Sequence, residues 1–391
     1  MKLAERLAAV GLQLPDYGGM ELGAVLPAAL AAIDAAAVVA HRDAEADRVR
    51  LGIPQSNHVV VVLLDGLGHW QLDARRGHAP FLRSIESGIV SAGYPTTTAA
   101  SLAMFGTGEP SGRTGMTGYT ARNPRTGELA NLISWDGAYP ADQWQVRPSL
   151  LEEASNSGKL VTTLGRRKFA GSGLTHAVLR GGQFVGAERL ADRIDVAIGV
   201  AHDPGVSYCY WGEIDAAGHQ YGWQSNEWVA ALEDADRELQ RLARGLPKGA
   251  VMVVTADHGM VDVDLGHRWD IAAHAQLHAD VDLVAGEPRA LHLHLDPGVV
   301  AEPVASRWQE FLGEHAVVLT RDEARQERLF GELLPEVEDR VGDVVVAMSG
   351  RATVVDSRIQ TVSSMGLIGV HGSLTPEELL VPLLLAGSNQ D

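Results

Sequence analysis

Three short runs of apolar residues stand out along the chain, and each stops abruptly at polar residues. They are HVVVVLL at 58–64, VSYCYW at 206–211 and VMVVT at 251–255. Runs this short and this rich in β-branched residues predict strands buried on both faces of a parallel sheet. The polar residues that follow should then lie at the carboxyl edge of the sheet, where open α/β sheets bind ligands.

The remaining pattern predicts four segments. Residues 1–50 alternate Ala/Leu runs with charges, which is typical of helices packed on the outside of a core. Residues 51–261 form the main α/β core, and 262–355 read as a smaller inserted α+β lobe with short strands and charged helices. Residues 356–391 end in an apolar strand that completes the core.

The composition is that of an ordinary globular protein with an acidic surface. Apolar residues make up 46% and charged residues 21% of the 391 positions, and the formal net charge is −18. Nucleic-acid polymers and anionic membranes are bound through basic surfaces, so neither is expected as a partner. A small anionic substrate would need a local cationic site, which bound divalent metals could supply.

Several features favour a cytoplasmic location. The single cysteine, Cys209, lies in an apolar run and fits a small buried residue in a reducing compartment. The N-terminus lacks the continuous apolar core of a signal peptide, and no stretch is apolar and long enough to span a bilayer.

Metal-ligand residues follow the predicted strands. Asp257 and His258 come directly after one strand, Asp65 after another, and Asp215 with His219 after the third, while His371 precedes a glycine near the closing strand. Asp215 and His219 have the i, i+4 spacing that places two side chains on one helix face. Each group alone could equally be a turn or capping Asp beside a surface His.

A threonine-rich stretch, YPTTTAASLAMFGTG at 94–108, offers a candidate nucleophile. The pattern predicts a helix with Thr98 as its N-cap, Ala99–Phe105 as its body and a stop at Gly106–Gly108. A hydroxyl at a helix N-terminus faces free N–H groups and the positive end of the helix dipole, which favour an alkoxide and a phosphoryl group. The ordinary interpretation is a capping threonine.

Two further histidine pairs, His274 with His278 and His292 with His294, have helix and strand spacing respectively. A second metal site is conceivable there, although solvated surface histidines are the preferred interpretation.

Taken together, the six N/O ligands divide into two sets of three, a number suited to two zinc-like ions. Two such ions about 4 Å apart can bind both the attacking and the leaving oxygen of an in-line displacement at phosphorus. The joint occurrence of these ligands with Thr98 therefore predicts a phosphoryl-transfer site.

The motifs VVLLDGLG, YPTTTAASLAMFGTGEPSGRTG, EIDAAGHQYG, TADHGM and GVHGS resemble those of the alkaline phosphatase superfamily, most closely its type I phosphodiesterase/nucleotide pyrophosphatase family. The resemblance spans about 59–375, omitting the middle of the lobe. It implies a three-layer α/β/α core with a mostly parallel central sheet.

The resemblance also implies roles. Asp65, Asp257 and His258 would hold the ion that binds the Thr98 alkoxide, and the second ion would be held by Asp215, His219 and His371. Thr98 is favoured over Thr96 and Thr97 because Thr107 and Gly108 follow it at the family's distance. The expected cofactors are two divalent ions, Zn²⁺ or else Mn²⁺, and the expected reaction is hydrolysis of a phosphodiester or pyrophosphate bond through a phosphothreonyl intermediate.

Two positions depart from the family. The residue after the nucleophile, usually an aromatic side chain that helps to hold a nucleobase, is Ala99, and the usual phosphoryl-donating Asn is replaced by Tyr119. Both are expected to contact substrate, Ala99 through its backbone N–H and Tyr119 through its hydroxyl. Nucleotide preference is thereby placed in question.

Other activities could use the same candidate residues. A phosphomonoesterase or a phosphonate hydrolase of the same superfamily would use the same metals, and a catalytically inactive, metal-stabilised binding protein is the alternative from another class. Sulfatases are disfavoured because the C/S-x-P-x-R motif is missing around Thr98. The cofactor-independent mutases are disfavoured because their nucleophile is typically Ser.

Overall fold

The computed structural model of the protein describes residues 2–35 and 42–387. Its α-helices are α1 (Leu3–Ala9), α2 (Val25–Ala31), α3 (Ala44–Leu51), α4 (His69–Ala74), α5 (Pro80–Ser84), α6 (Thr98–Thr107), α7 (Ser111–Thr114), α8 (Ala141–Trp144), α9 (Leu150–Asn156), α10 (Gly173–Val178), α11 (Leu190–Val200), α12 (Glu213–Tyr221), α13 (Asn226–Gly245), α14 (Ala275–His278), α15 (Ala301–Leu312), α16 (Arg321–Gln326), α17 (Val362–Met365) and α18 (Pro376–Leu379). Short 3₁₀ helices lie at Leu22–Ala24, Arg167–Phe169, Leu265–His267, Ile271–Ala273, Gly313–His315 and Glu338–Arg340.

The strands are β1 (His58–Leu64), β2 (Glu86–Ser91), β3 (Thr120–Arg122), β4 (Leu129–Asn131), β5 (Leu160–Gly165), β6 (Gln183–Gly186), β7 (Gly205–Trp211), β8 (Ala250–Thr255), β9 (Val261–Asp262), β10 (Arg268–Asp270), β11 (Val281–Glu287), β12 (Ala290–Leu295), β13 (Ala316–Thr320), β14 (Val344–Met348), β15 (Thr353–Val355), β16 (Gly369–Val370) and β17 (Leu380–Gly387).

A seven-stranded sheet with the order β2-β17-β8-β1-β7-β5-β6 forms the centre of the molecule. Its neighbours pair in parallel except at β17, which is antiparallel to both β8 and β2. Every residue of β1 and β8 is buried, as their continuous apolar sequences predict. The expected α/β class with a mostly parallel central sheet is confirmed.

Helices cover both faces of this sheet. One group, in which neighbours contact each other, contains α2, α3, α6, α9 and α10, and a second contains α5, α11, α12 and α13. Leu26 and Leu30 of the first group and Leu232 and Leu239 of the second belong to one continuous buried core that includes β1. Burial of each such side chain contributes about 1.5–3 kcal/mol, so the strands and both helix layers stabilise one another.

The second sheet is antiparallel and has the order β13-β14-β12-β11-β3-β4. Four of its strands come from the segment expected to form an inserted lobe, 262–355, and the short strands β3 and β4 add residues 120–131 to it. Its own core gathers around Trp308, Leu293 and Val346. The division of the chain at residues 51, 262 and 356 remains our proposal.

Two local expectations are corrected by the structure. His292 and His294 are buried in β12 rather than solvated, because the face of β12 that they share is covered, and His292 is hydrogen-bonded through its Nε2–H to the Thr117 carbonyl oxygen. The N-cap of α6 is Thr97 rather than Thr98, and the helix continues through Gly106 to Thr107 before Gly108 ends it with a φ of +72°. Thr98 is therefore the first helical residue.

In the part of the chain that the structure describes, no helix is both long and apolar enough to cross a membrane. Cys209 is buried, and burial raises the pKa of its thiol to about 12, which fits the expected packing role. The cytoplasmic location stays a prediction. Residues 36–41, part of the expected N-terminal helices, lie outside the described residues.

Candidate active site

The polar residues after the buried strands meet at the carboxyl edge of the central sheet. Leu64 of β1 is paired with Trp211 of β7, and Leu63 with Thr255 of β8, so the three strands end level with one another. This register carries their following residues into a single region of the molecule. The candidate ligands found there are Asp65, Asp215, His219, Asp257, His258 and His371.

One cluster surrounds His258. Its Nε2 lies 3.5 Å from Asp65 Oδ1, 3.5 Å from Asp257 Oδ2 and 3.2 Å from the Thr98 hydroxyl oxygen. Asp257 and His258 are fully buried, and Asp65 is nearly so. The side chains assigned to one ion are thus brought together with the candidate nucleophile.

The second cluster is built on α12. Asp215 Oδ2 lies 3.3 Å from His219 Nε2, at the predicted i, i+4 spacing, and Asp215 Oδ1 lies 3.8 Å from His371 Nε2. His371 also stacks on His258, with ring centroids 3.6 Å apart. The two clusters are therefore adjacent. Asp215 lies close enough to Asp65 and His258 to share a metal ion with them as well as with His219 and His371.

The three histidines are all held in the same way. The Nδ1–H groups of His219, His258 and His371 donate to the backbone carbonyls of Gly369, Gly259 and Thr96, at 2.7, 3.0 and 2.8 Å. Because a carbonyl only accepts, Nδ1 carries the proton in each neutral imidazole, and the Nε2 lone pair is turned toward the carboxylates. Metal-binding histidines are oriented in this manner.

The carboxylates are crowded and incompletely hydrogen-bonded. Burial, followed by the neighbouring charges of Asp257 and Asp215, raises the pKa of Asp65, and burial also raises the pKa of Asp257. Asp65 Oδ1, Asp215 Oδ1 and Asp257 Oδ2 have no hydrogen-bond partner among the described residues. Buried carboxylates in this state need positive charge.

The imidazoles point to the same kind of ligand. Burial, then His258 and His219, lowers the pKa of His371 well below its ordinary value, which keeps its Nε2 available as a ligand. Carboxylate oxygens and imidazole nitrogens are donors for zinc-like ions. The described Asp and His groups can therefore hold divalent metal ions.

Two further side chains at the site carry no signal in the sequence. The Tyr210 hydroxyl donates a very short hydrogen bond to Asp65 Oδ2, because β7 places Tyr210 opposite Leu63. Glu287, at the end of β11, reaches the site from the second sheet. Only the strand register and the packing of the second sheet bring these groups to the candidate ligands.

A cavity of about 640 Å³ opens over the clusters. Its walls include Thr98, Tyr119, Asp215 and Glu287, together with apolar side chains from the second sheet and from the segment before β16. Tyr119 is 45% exposed, whereas Ala99 is buried in the first turn of α6. A narrower apolar cavity of about 80 Å³ lies beside Thr98 and Leu102.

Among the described residues, no tryptophan lines either cavity, and Tyr139 does not line them either. Trp144 is buried and donates its Nε1–H to the Gly115 carbonyl oxygen, while Trp135, Tyr139 and Trp223 pack against the main core. The tyrosines that line the larger cavity are Tyr119 and Tyr210.

Carboxylate and imidazole donors gathered at the edge of a mostly parallel sheet, with a threonine hydroxyl beside one of the imidazoles, are the arrangement expected of a metal-dependent hydrolase. Residues 59–374 match the family model described as type I phosphodiesterase / nucleotide pyrophosphatase. The match covers most of the chain, and the protein therefore belongs to this family of phosphoric ester hydrolases.

Solved structures show the same fold at low sequence identity. An inactive variant of murine ectonucleotide pyrophosphatase/phosphodiesterase 5 in complex with AMP is 18% identical, covers 84% of this chain and 88% of its own, and has a TM-score of 0.68. Phosphonoacetate hydrolase from Sinorhizobium meliloti in complex with phosphonoacetate is 20% identical, covers 85% and 91%, and has a TM-score of 0.65. No curated protein matches the sequence significantly.

Proposed function

We propose that this protein hydrolyses a phosphodiester or pyrophosphate bond through a phosphothreonyl intermediate on Thr98, with the help of two divalent metal ions. The observation that carries the proposal is the common orientation of the three histidines. Each presents Nε2 to carboxylate oxygens, and the Thr98 hydroxyl lies 3.2 Å from one of these nitrogens.

The chain offers two donor sets for the ions. Asp65, Asp257 and His258 would hold one of them beside Thr98. Asp215, His219 and His371 would hold the second ion. When bound, such ions lower the pKa of a coordinated hydroxyl or water and stabilise negative charge on the leaving oxygen. Zinc is our first expectation and manganese our second, because both accept mixed imidazole and carboxylate ligands.

Thr98 is placed to attack phosphorus. It is half-buried at the first position of α6, where free backbone N–H groups of the first helical turn, including that of Ala99, would donate to a phosphoryl oxygen. Attack forms the Thr98 Oγ1–P bond and breaks the bond to the leaving alcohol or phosphate, and a water then cleaves the phosphothreonyl ester. Two in-line displacements retain the configuration at phosphorus.

The alternative activities use the same donors, and two observations bear on the choice. One similar structure is a nucleotide pyrophosphatase/phosphodiesterase and another is a phosphonoacetate hydrolase, so the fold alone does not decide between diester and phosphonate substrates. Among the described residues that line the larger cavity, none is a Lys or Arg that could bind the carboxylate of a phosphonate such as phosphonoacetate. A purely structural metal site would not need a hydroxyl beside His258, which disfavours the inactive binding protein.

The test is turnover of bis-p-nitrophenyl phosphate and p-nitrophenyl phosphate with and without Zn²⁺ or Mn²⁺. We expect preference for the diester, dependence on metal, and loss of at least about a thousandfold in kcat for Thr98→Ala. Thr98→Ser should retain part of the activity. Metal binding without turnover of either ester would support the binding protein instead.

A further inference from the structure

The charge of the larger cavity is unusual for a site that acts on phosphate esters. Apart from the metal-ligand groups, its acidic lining residues are Asp356 and Glu287, and no Lys or Arg occurs among the described residues that line it. Asp356 is matched by Arg358, whose Nε and Nη2 donate to its two carboxylate oxygens at 2.8 and 2.6 Å. Glu287 is the acidic group without such a partner.

Glu287 is buried but incompletely hydrogen-bonded. It is 8% exposed, and its Oε1 has no hydrogen-bond partner among the described residues. Burial raises the pKa of Glu287 to about 8, although the nearby Thr97 hydroxyl and Tyr119 backbone N–H favour the charged form. The neighbouring Arg289 does not neutralise it, because both ends of that guanidinium are bound to Glu378.

The position of Glu287 is next to the reacting groups. A Cβ added to Gly372 would lie 2.7 Å from Glu287 Cγ and 3.2 Å from its Oε1, so the carboxyl packs directly on the residue after His371. The carboxyl also interacts with the hydroxyl of Thr97, the residue before the nucleophile. A group attached to the phosphorus atom would therefore be within reach of Glu287.

We propose that Glu287 contacts the alcohol portion of the substrate, and that the substrate is a phosphodiester whose alcohol portion carries a hydroxyl group and no second negative charge. The inference rests on the proposed function and refines it. A hydroxyl can donate to a carboxylate and can also accept from a protonated carboxyl, so it satisfies Glu287 in either state. An anionic group would meet a carboxyl and no cation in the same place.

Three diesters with one shared leaving group test this. They are the 3-hydroxypropyl, propyl and 2-carboxyethyl esters of p-nitrophenyl phosphate, assayed for p-nitrophenolate release at pH 9, above the Glu287 pKa of about 8. For the metal-loaded native protein we expect kcat/KM for the hydroxypropyl ester to exceed that for the propyl ester by about tenfold. The carboxyethyl ester should be slower again, by more than about tenfold relative to the hydroxypropyl ester.

Variants assign the selectivity to the carboxyl group. Glu287→Leu should hydrolyse the hydroxypropyl and propyl esters with equal kcat/KM. Glu287→Gln keeps the shape of the side chain and should lower the ratio of kcat/KM for the hydroxypropyl ester to that for the carboxyethyl ester several-fold. Glu314→Leu and Glu314→Gln are matched controls, since Glu314 lies in the same segment, is exposed and does not line the cavity. They should keep the native order.

The outcomes separate this inference from the proposed function. Equal kcat/KM for all three esters, or native selectivity in Glu287→Gln, overturns the inference about Glu287. The proposed function still stands in that case if Thr98→Ala abolishes hydrolysis. Absence of metal-dependent hydrolysis of every ester overturns both. If Glu287→Leu does not fold, the ratio of kcat/KM for the hydroxypropyl and carboxyethyl esters in Glu287→Gln decides whether the inference about Glu287 stands.

Discussion

The buried ion pair between Arg289 and Glu378 should be one of the main supports of the site. Both side chains are fully buried, and Nε and Nη2 of Arg289 donate to the two oxygens of Glu378 at 2.7 Å each. Arg289 also donates to the Ala352 carbonyl oxygen, and Glu378 accepts the backbone N–H of Ser373. The pair thus ties the second sheet to the loop that carries His371.

Arg289→Met should destabilise the protein strongly. The substitution leaves Glu378 as an uncompensated charge in the interior and frees the Ala352 carbonyl from its side-chain donor, and removal of one member of a buried pair typically costs about 3–5 kcal/mol. Replacement of both members, Arg289→Met with Glu378→Leu, should recover much of that loss, because no isolated charge then remains. Urea unfolding of the metal-loaded protein, followed by fluorescence, measures both free energies.

The same variants should weaken the site. A loosened Ser373 loop lets His371 move, so affinity for the more weakly held metal equivalent should fall by about tenfold or more in Arg289→Met. Arg237→Met is the control, because its pair with Asp234 is exposed and should contribute less than about 1 kcal/mol. The reasoning is refuted if Arg289→Met and Arg237→Met lower the free energy of unfolding by the same amount within error. It is also refuted if the double variant loses as much of that free energy as Arg289→Met and Glu378→Leu lose together.

Two further predictions concern groups that touch the site. Tyr210→Phe removes the donor to Asp65, and we expect metal affinity, measured by competition with a chromogenic chelator, to fall about 10–100-fold, while the exposed Tyr221→Phe leaves it unchanged. The pKa of Glu287 is about 8 when folded and 4.5 ordinarily, so the folded state holds this proton more tightly and loses stability as pH rises from 4.5 to 8. The free energy of unfolding of Glu287→Gln, relative to that of the native protein, should therefore rise by up to about 4 kcal/mol between pH 5 and pH 9. Urea titrations that give the same difference between the two proteins at both pH values would contradict this.

The middle of the central sheet could be predicted because its strands β1 and β8 are fully buried. A continuous run such as Val59–Leu64 has no alternative environment that removes so much apolar surface from water, so its sequence alone indicates its place. The second sheet gives a weaker signal. His292 and His294 alternate with leucines, a pattern typical of a half-exposed strand, yet both are buried, and His292 is hydrogen-bonded to Thr117 and Gly342.

The candidate ligands could be predicted for a related reason. Asp65, Asp215 and Asp257 follow buried strands, and parallel strands end at one edge, so their proximity follows from topology. Tyr210 and Glu287 could not be found in this way. Tyr210 depends on the register between β1 and β7, and Glu287 on how the second sheet packs against the Gly372 loop, and neither is encoded in local pattern.

The histidines show why the site forms only when the whole chain is folded. Each Nδ1–H is held by a carbonyl, and for His219 and His371 that carbonyl is 150 and 275 residues away in sequence. The loop that supplies His371 and Gly369 is in turn held to the second sheet by Glu378 and Arg289. Crowded carboxylates oppose this arrangement, whereas cations bound to the folded state alone would favour it. Metal binding and the docking of the C-terminal segment should therefore be coupled.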